Sequence, residues 1–569
     1  MLCLLSQAVS AQVPPVHLPP PFPTEPPLLP LPEDIRPTPP PGSVLPPPPP
    51  PPRKGALTPL NVFVKEVRIT GSTVFTPQEL AQVTAPYTNR QLATEDLEDL
   101  RVKLTEHYIK HGYVTSGAII PDQAVAEGIV TLQVIEGRLS RIDVEGNEWF
   151  RSGFLRDRVA LGEGPPVNIN ALQERLLLLQ ETPGIARLNA ELRPGLTRGE
   201  SVLNVKVAEE SAIKAWLEYN NFLSPTVGSD QGLVTVAHQN LTGHGDTLSV
   251  QYGRSSGVYP EIDARYTIPL TARDTTLTAE YRKNDYRVID NDFETLDIKS
   301  KSETYSLTVR HPVYRTLNRE FALSLTGEYL TNRLTSVFDA VRTDNPDLTG
   351  LRLVPGSQGN QDGEVTSVSA LRFSQEFTER ARNQVIAVFS RLSVGLDVLG
   401  STNNKQSPTD ASGKFFSWLG QAQWVRLLEP WKVQLIARVL GQLTDDRLFP
   451  LEQISVGGRY SVRGYRESTL VRDNGLLASF ETRIPILRSA AGADILRLAP
   501  FIDYGRAWQS REPTPEPKNL TSTGIGLIWD IMRGSRFEVY WGHRWNHIDS
   551  HSNNLQDHGV HLQLVVEAL

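Results

Sequence analysis

Apolar and polar residues alternate with a period of two from about Ala212 to the C terminus. This pattern constrains the fold more than any other feature of the sequence. One example is the segment in which Leu248, Val250 and Tyr252 alternate with Ser249 and Gln251. The same alternation is found in residues 277–282, 431–439, 537–541 and 560–567. Side chains of a β-strand point alternately to opposite faces, so about 358 consecutive residues are predicted to form strands with one apolar and one polar face.

The alternation alone leaves two β architectures open, a water-soluble sandwich and a transmembrane barrel. The length favours the barrel, because about 358 residues without a helical segment are too many for one sandwich. Membrane-spanning strands need ~9–11 residues and occur in even numbers. We count sixteen candidate strands and predict a 16-stranded antiparallel transmembrane β-barrel over residues 211–569. The long tract near residues 445–473 is predicted to be an extracellular loop, which would have to fold inward to contact the barrel wall.

Composition excludes several other classes of protein. No stretch approaches the ~20 apolar residues that a membrane-spanning helix needs. The net charge of −7 argues against a nucleic-acid partner. The single cysteine, Cys3, rules out a disulfide framework and a cysteine-based metal site. A mean hydropathy of −0.28 is compatible with a barrel, since its lumen and lipid faces average out.

The N-terminal region contains two segments that are not predicted to belong to a folded domain. Residues 1–11 have an apolar run that ends in Val9 and Ala11, and they are interpreted as the remnant of a signal peptide cleaved before Gln12. Residues 12–56 contain 21 of the 43 prolines. Proline lacks the N–H that helices and sheet interiors need, so this tract is predicted to be a disordered linker.

An internal repeat lies between the linker and the barrel. Residues 66–75, EVRITGSTVF, can be aligned with residues 141–150, RIDVEGNEWF. Each copy predicts a strand, a short helix, a longer helix and two further strands. In the second copy the longer helix carries Leu172, Leu176 and Leu179 on one face. In the first copy Thr76, Pro77 and Glu79 form a capping box, the longer helix begins near Thr94, and strands are predicted over residues 113–120 and 129–134. The repeat indicates two β-α-α-β-β modules, at residues 57–138 and 139–210.

Two short motifs in the barrel region suggest a contact between a loop and the wall. The segment YSVRGYR, residues 460–466, lies in the inward-folding tract, and the strand motif FIDYG occupies residues 501–505. Strand parity places Phe501, Asp503 and Gly505 on one face, which must be the lumen because a lipid-facing carboxylate is costly. Arg463 and Asp503 are therefore candidate partners in a charge-assisted hydrogen bond.

These motifs, the repeat and the barrel resemble the transporter family of two-partner secretion, within the POTRA-bearing outer-membrane barrel superfamily. The segment NLTGHGD at residues 240–246 and Glu481-Thr482-Arg483 are weaker family features. The resemblance implies that both modules are periplasmic POTRA modules and that the sixth extracellular loop enters the pore. It assigns the contact between loop tip and wall to Val462, Arg463, Gly464, Tyr465, Phe501, Asp503 and Gly505.

The resemblance also implies partners and a location. The chain would lie in the bacterial outer membrane, capture an unfolded exoprotein exported by the Sec pathway, and thread it to the cell surface or medium. Its other expected partners are outer-membrane lipid and the barrel-assembly machinery that inserts it, with no nucleic acid. The client, haemolysin, adhesin or another protein, stays open. Relatives usually have an N-terminal plug helix, which the proline tract cannot form, and this chain ends in Leu569 where such barrels commonly end in an aromatic residue.

Three alternatives to transport remain: an insertase, a porin and a hydrolase. An insertase for other barrels is the main alternative, although insertases typically carry more POTRA modules. A passive porin would have no use for the modules, and a hydrolase would need a catalytic set that the sequence lacks. His543, His547 and His551 are evenly spaced, but in an extended chain their spacing spreads them ~13 Å apart, so polar loop histidines explain them better than a metal site. We therefore predict no enzymatic activity, no cofactor and no metal.

Overall fold

The computed structural model describes residues 61–123, 125, 127–289, 298–335, 364–403, 410–490, 492–532, 534–548 and 553–568. The predicted signal remnant and proline-rich linker lie outside these residues. Among the helices that are described, none is both long and apolar enough to cross a membrane.

The first module packs two helices on a small mixed sheet. Its elements are β1 (Asn61–Val64), β2 (Glu66–Thr70), α1 (Pro77–Thr84), a 3₁₀ turn (Ala85–Tyr87), β3 (Arg90–Ala93), α2 (Thr94–Lys110), β4 (Gly117–Ile119) and β5 (Ile129–Ile135). The sheet order is β2-β5-β4, with β2 parallel to β5. The capping box predicted at Thr76 is present at the start of α1. The apolar face of α2 is buried through Leu100, Leu104 and Tyr108.

One local prediction for this module is wrong, and the pairing of β1 with β3 was not predicted. The strand expected over residues 113–120 is only the three residues of β4, because residues 113–116 form a turn in which the Ser116 N–H donates to the Tyr113 carbonyl at 3.0 Å. A third strand, β3, was not predicted. It pairs with β1 in a separate two-stranded sheet, a long-range pairing that its four residues do not signal.

The second module repeats the plan and confirms the predicted order of elements. It consists of β6 (Arg138–Glu145), α3 (Ser152–Ala160), α4 (Ile169–Gln180), β7 (Ile185–Pro194) and β8 (Glu200–Glu209), with sheet order β6-β8-β7. Its core includes Leu172, Leu176 and Leu179, the face predicted from helical periodicity.

The rest of the described chain forms a closed antiparallel barrel, as predicted. Its sixteen described strands close because the last pairs with the first. A separate hairpin, β20 and β21, lies in the loop between two of them. The strands of this region are β9 (Ile213–Asn220), β10 (Gln231–Gln239), β11 (Thr247–Arg254), β12 (Val258–Pro269), β13 (Thr276–Arg287), β14 (Lys299–Arg315), β15 (Arg319–Thr335), β16 (Glu364–Ala381), β17 (Gln384–Leu396), β18 (Phe416–Leu428), β19 (Val433–Leu443), β20 (Ile454–Val456), β21 (Leu470–Arg472), β22 (Asn474–Arg488), β23 (Asp494–Trp508), β24 (Asn519–Met532), β25 (Ser535–Arg544) and β26 (Val560–Glu567).

The alternation of the sequence maps onto the two faces of the barrel wall. On β11, Val250 and Tyr252 are exposed on the outer surface, and on β23 the outward residues are Ile502 and Tyr504. The residue between this last pair, Asp503, is completely buried on the lumen side. A barrel with this arrangement presents an apolar band to lipid and keeps charge inside.

The second module is attached directly to the periplasmic end of the barrel. Arg158 on α3 donates to Asp274 Oδ1 at 3.0 Å and to the Thr271 carbonyl at 3.1 Å, both in the turn between β12 and β13. Arg315, at the end of β14, donates to Asp274 Oδ2 at 2.6 Å. Burial lowers the pKa of the Arg158 guanidinium, while Asp274 opposes that shift. The module is therefore held to the barrel by an ion pair between a buried arginine and a partly exposed aspartate.

Candidate functional site

The sixth extracellular loop, residues 444–473, folds back into the barrel lumen. Its hairpin, formed by β20 and β21, and the tip between these strands pack against the inner wall. The contact is largely apolar, and the loop contributes Val456, Val462 and Tyr465 to it. The wall contributes Leu440, Leu477, Ala507 and Leu520. Burial of this surface gives the inward position a hydrophobic contribution that does not depend on charge.

At the tip, Arg463 contacts Asp503 of β23 through three hydrogen bonds. Its Nε donates to Asp503 Oδ2 at 2.8 Å, its Nη2 donates to Oδ1 at 2.9 Å, and its backbone N–H donates to Oδ2 at 3.0 Å. The guanidinium and carboxylate thus form a bidentate pair, which is both strong and geometrically specific. Ser479 on β22 donates to Asp503 Oδ1 at 2.6 Å and so fixes the carboxylate from the adjacent strand.

The same guanidinium also bonds a second carboxylate, Glu481 of β22, through Nη1. Arg483 donates its Nε to the other oxygen of Glu481 at 2.7 Å. The Arg463 carbon Cζ lies 3.7 Å from the centre of the Phe501 ring. One loop cation is therefore held by two wall carboxylates and an aromatic face, all on β22 and β23.

Gly464 brings the tip against β25 and β26, the second and third strands along the wall from β23. Its φ is +93°, and a Cβ at this position would lie 2.7 Å from the Gly542 carbonyl oxygen on β25. Its backbone N–H donates to Nε2 of His561 on β26 at 3.2 Å. This approach requires glycine both for its backbone conformation and for its lack of a side chain.

The remaining tip residues fill the space around the arginine. The Tyr465 hydroxyl donates to the Thr521 carbonyl at 2.9 Å and accepts from the Asn546 N–H at 3.0 Å. A Cβ on Gly505 would come within 2.7 Å of the Val462 Cγ2 atom. The absence of a side chain at position 505 therefore makes room for the loop on the wall.

The C-terminal flank of the tip is tied to the loop between β25 and β26. Arg466 forms a bidentate pair with Asp557 at 2.5 and 2.9 Å, and the Glu467 N–H donates to Gln556 Oε1 at 2.9 Å. The Gln556 amide donates in turn to the carbonyls of Asn221 and Leu223, at 2.6 and 2.7 Å, beyond the end of β9. The inward loop is thus connected to both strands that close the barrel.

The base of the loop has an anchor on the far wall. Glu452 accepts from Arg372 on β16 in a bidentate pair at 2.7 and 3.1 Å, and Arg372 also donates to Glu328 of β15 at 2.6 Å. The loop is therefore held from β15 and β16 on one side and from β22 and β23 on the other.

The structure brings all seven predicted site residues together. Sequence reasoning did not assign a role to Glu481, although the segment 481–483 had been noted, and it missed the anchor formed by Glu452, Arg372 and Glu328. The sequence signal that could have found these residues was a charge at a lumen position. Lumen charges are numerous, however, and closure of the barrel decides which of them form pairs. Of the three spaced histidines, His543 ends β25, His547 lies in the next loop and His551 lies outside the described residues.

Comparison with known proteins is consistent with this architecture. Residues 62–137 match the model of the ShlB-type POTRA domain, and residues 240–537, more than half of the chain, match the Omp85 superfamily domain. The outer membrane transporter CdiB of Escherichia coli is 26% identical over 72% of this chain and 67% of its own length. The hemolysin transporter protein ShlB of Serratia marcescens is 24% identical over 78% of this chain and 77% of its own length.

Among solved structures, CdiB from Escherichia coli aligns with a TM-score of 0.66 at 20% identity and covers 89% of this chain and 91% of that one. At this level of identity the likeness concerns the fold alone. Taken with the match across most of the barrel, it leads to a family assignment: the chain belongs to the Omp85 superfamily.

Proposed function

We propose that this protein is an outer-membrane transporter of two-partner secretion, with its POTRA modules in the periplasm and its barrel as the route across the membrane. The observation that carries the proposal is the combination of two modules with a barrel whose sixth loop is fixed inside the lumen. The relatives named above are transporters, which supports transport over barrel assembly. An insertase on the same scaffold is the alternative that the experiment must separate.

The first step would be capture of an unfolded client by an exposed sheet edge. In the part of the chain that the structure describes, β7 has a strand neighbour on one side only, and its ten residues are long enough to pair with an extended segment. A client strand added there would be held by backbone hydrogen bonds, so it would need little sequence specificity. Because the periplasm has no ATP, folding of the client outside the cell would drive its transport.

The second step would be passage through the lumen, which the inward loop occupies. We propose that the seven residues of the loop-tip site hold the loop in a defined position on the wall and that transport depends on this position. The ion pairs of Arg463 support this role, since a bidentate pair to Asp503 fixes orientation as well as position.

Deletion of the chain tests the proposed function. We expect a large exoprotein encoded beside it to disappear from the medium and to return when the chain is restored. The abundance of other outer-membrane proteins should stay unchanged. Depletion of many unrelated barrels, with the exoprotein still secreted, would contradict transport and favour the insertase.

Capture at β7 has its own test. A photo-crosslinking residue at Asn189, exposed on β7, should trap the exoprotein during secretion. The matched control is Asp157, exposed on α3 of the same module. Equal crosslinking at both positions would contradict capture by the strand edge.

A further inference from the structure

An exposed tryptophan of the second module lies beside the outer surface of the barrel. The Trp149 side chain is 62% exposed, in the loop between β6 and α3. Its ring centre is 6.5 Å from that of His238, near the periplasmic end of β10. On this strand the neighbouring outward residues are Val234 and Val236, which have the same parity as His238 and are exposed. Trp149 therefore adjoins the face of the wall that contacts lipid.

The surroundings of Trp149 form a continuous apolar patch. His238 pairs with Ile213 on β9 and with Leu248 on β11, so these three residues form one outward row at the periplasmic edge. Ile213 is 47% exposed, and Leu241, in the turn after β10, is 49% exposed. The patch is thus the periplasmic edge of the lipid-facing band, and Trp149 of the second POTRA module extends it.

The backbone around Trp149 is fixed from both sides. Within the module, the Trp149 N–H donates to Glu209 Oε2 at 2.9 Å. Across the junction, the Arg151 N–H donates to the Gly243 carbonyl at 2.9 Å, in the segment NLTGHGD noted in the sequence. A Cβ on Gly243 would lie 2.9 Å from the Trp149 carbonyl oxygen, so the two backbones are in close contact. The backbone that carries this indole is therefore bound to the barrel rim.

We propose that Trp149 is a membrane anchor of the second POTRA module, which inserts its indole into the headgroup region of the inner leaflet of the outer membrane. Indole rings favour this region because they combine an apolar body with one N–H donor. The occupant is phospholipid, since the patch is continuous with the lipid-facing band. The inference goes beyond transport itself and requires only that the barrel spans the membrane.

Such an anchor would hold the module at a fixed orientation beneath β9 and β10. The ion pair of Arg158 and Asp274 and the hydrogen bond of Arg151 attach the module to the barrel, and the anchor would attach it to the lipid as well. The client-binding edge would then keep a constant position relative to the mouth of the pore.

Site-directed spin labelling of the full chain in nanodiscs of phosphatidylethanolamine and phosphatidylglycerol at 3:1 tests the anchor. The background is Cys3→Ser, with a nitroxide attached after Trp149→Cys. The matched control is Leu196→Cys, fully exposed in the turn between β7 and β8 of the same module. We expect the label at 149 to collide several-fold less with a water-soluble nickel chelate, and more with oxygen, than the label at 196.

Equal nickel accessibility at both positions would overturn the proposal. A nickel accessibility at 149 that falls only when the secreted client is added would also overturn it, because the occupant would then be protein. A second measurement keeps the native indole. Brominated phospholipid should quench wild-type fluorescence more than that of Trp149→Phe, and identical quenching of the two proteins would also overturn the anchor.

Discussion

Arg463 shows how a single residue can fix a loop inside a barrel. Its guanidinium bonds both Asp503 and Glu481, while Phe501 covers its face. Two carboxylates in a partly dehydrated lumen would repel each other without this cation. The arginine therefore stabilises the wall as well as the loop. Its removal frees the loop tip and leaves the repulsion between the two carboxylates uncompensated.

Arg463→Ala is expected to reduce or abolish secretion while the barrel still folds. Loss of one partner from a buried ion pair typically costs about 3–5 kcal/mol, which here opposes docking of the tip. Exoprotein in the medium reports secretion, and heat-modifiable migration reports the folded barrel. Arg506→Ala, an exposed position on the same strand as Asp503, is the matched control. Full secretion by Arg463→Ala would contradict the role of the pair.

Gly464→Ala is expected to loosen the tip without changing any charge. The new Cβ would lie 2.7 Å from the Gly542 carbonyl oxygen, in a backbone region that costs an L-residue about 1–2 kcal/mol. Limited proteolysis of the sixth loop measures the effect. Gly232→Ala on β10 is the control, since a Cβ there meets nothing within 4 Å. Equal protease resistance in the two variants would show that the close approach is unimportant.

His107 is expected to make the first module sensitive to acid. Burial, followed by the nearby His111, lowers the pKa of His107 below its usual value of 6.5, and its Nε2 is buried without a hydrogen-bond partner. A histidine with a lowered pKa contributes stability above the unfolded pKa, and this is lost as pH falls below about 6.5. The protection factors of the α2 amides, which are corrected for the intrinsic exchange rate at each pH, should therefore fall on acidification, and they should fall less in His107→Gln. His558→Gln, in an extracellular loop, is the control, and an unchanged pH profile in His107→Gln would refute the assignment.

At the scale of elements, the closing seam has the shortest ladder among the strand pairs that the structure describes in the barrel wall. The ladder between β26 and β9 has five residue pairs, compared with sixteen between β14 and β15. Side chains supplement it, since Asn221 donates to the Val560 carbonyl at 3.0 Å and accepts from the Leu562 N–H at 2.8 Å. Gln556 then joins this seam to the sixth loop.

Gln556→Ala is expected to weaken both the seam and the flank of the loop. The variant removes the hydrogen bonds of this side chain to the carbonyls of Asn221 and Leu223 and to the Glu467 N–H. Each buried polar group that is left unsatisfied lowers the free energy of unfolding by about 1–3 kcal/mol. Hydrogen exchange of β9 and β26 should rise, with β14 and β15 as internal reference. Faster exchange confined to the sixth loop would show that the loop and the seam are not coupled.

At the scale of the whole molecule, the inward loop is held inside the lumen by two separate anchors. It is held at the tip by β22 and β23 and at the base by Arg372 of β16. Because the two anchors lie on different parts of the wall, release of one should leave the loop partly inside.

The double variant Arg463→Ala, Glu452→Gln is therefore expected to conduct more than either single variant. Removal of both anchors frees the loop from two separate parts of the wall and widens the path for ions. Conductance in planar bilayers measures this, with wild type and both single variants alongside. A double variant that conducts like Arg463→Ala alone would contradict a separate role for the base anchor.

The sequence by itself determined the class of architecture, the repeat and the facing of side chains. A period of two over about 358 residues predicts which residues share a face, so it placed Asp503 in the lumen, and the loop motif supplied Arg463 as its candidate partner. Helical periodicity likewise identified Leu172, Leu176 and Leu179 as core residues of the second module. These properties are local, because they depend on the geometry of one strand or one helix.

Apart from the pair of Arg463 and Asp503, only the tertiary structure decided which groups inside the barrel meet. Glu452 and Arg372 are 80 residues apart, and Gln556 and Asn221 are 335 apart, so no local period connects them. Their contacts follow from strand register, closure of the barrel and the path of a long loop. The position of Trp149 depends in the same way on how the second module meets the rim. Pairing across a closed surface is a property of the whole chain, and for this reason the sequence could identify candidate residues while the fold selected their partners.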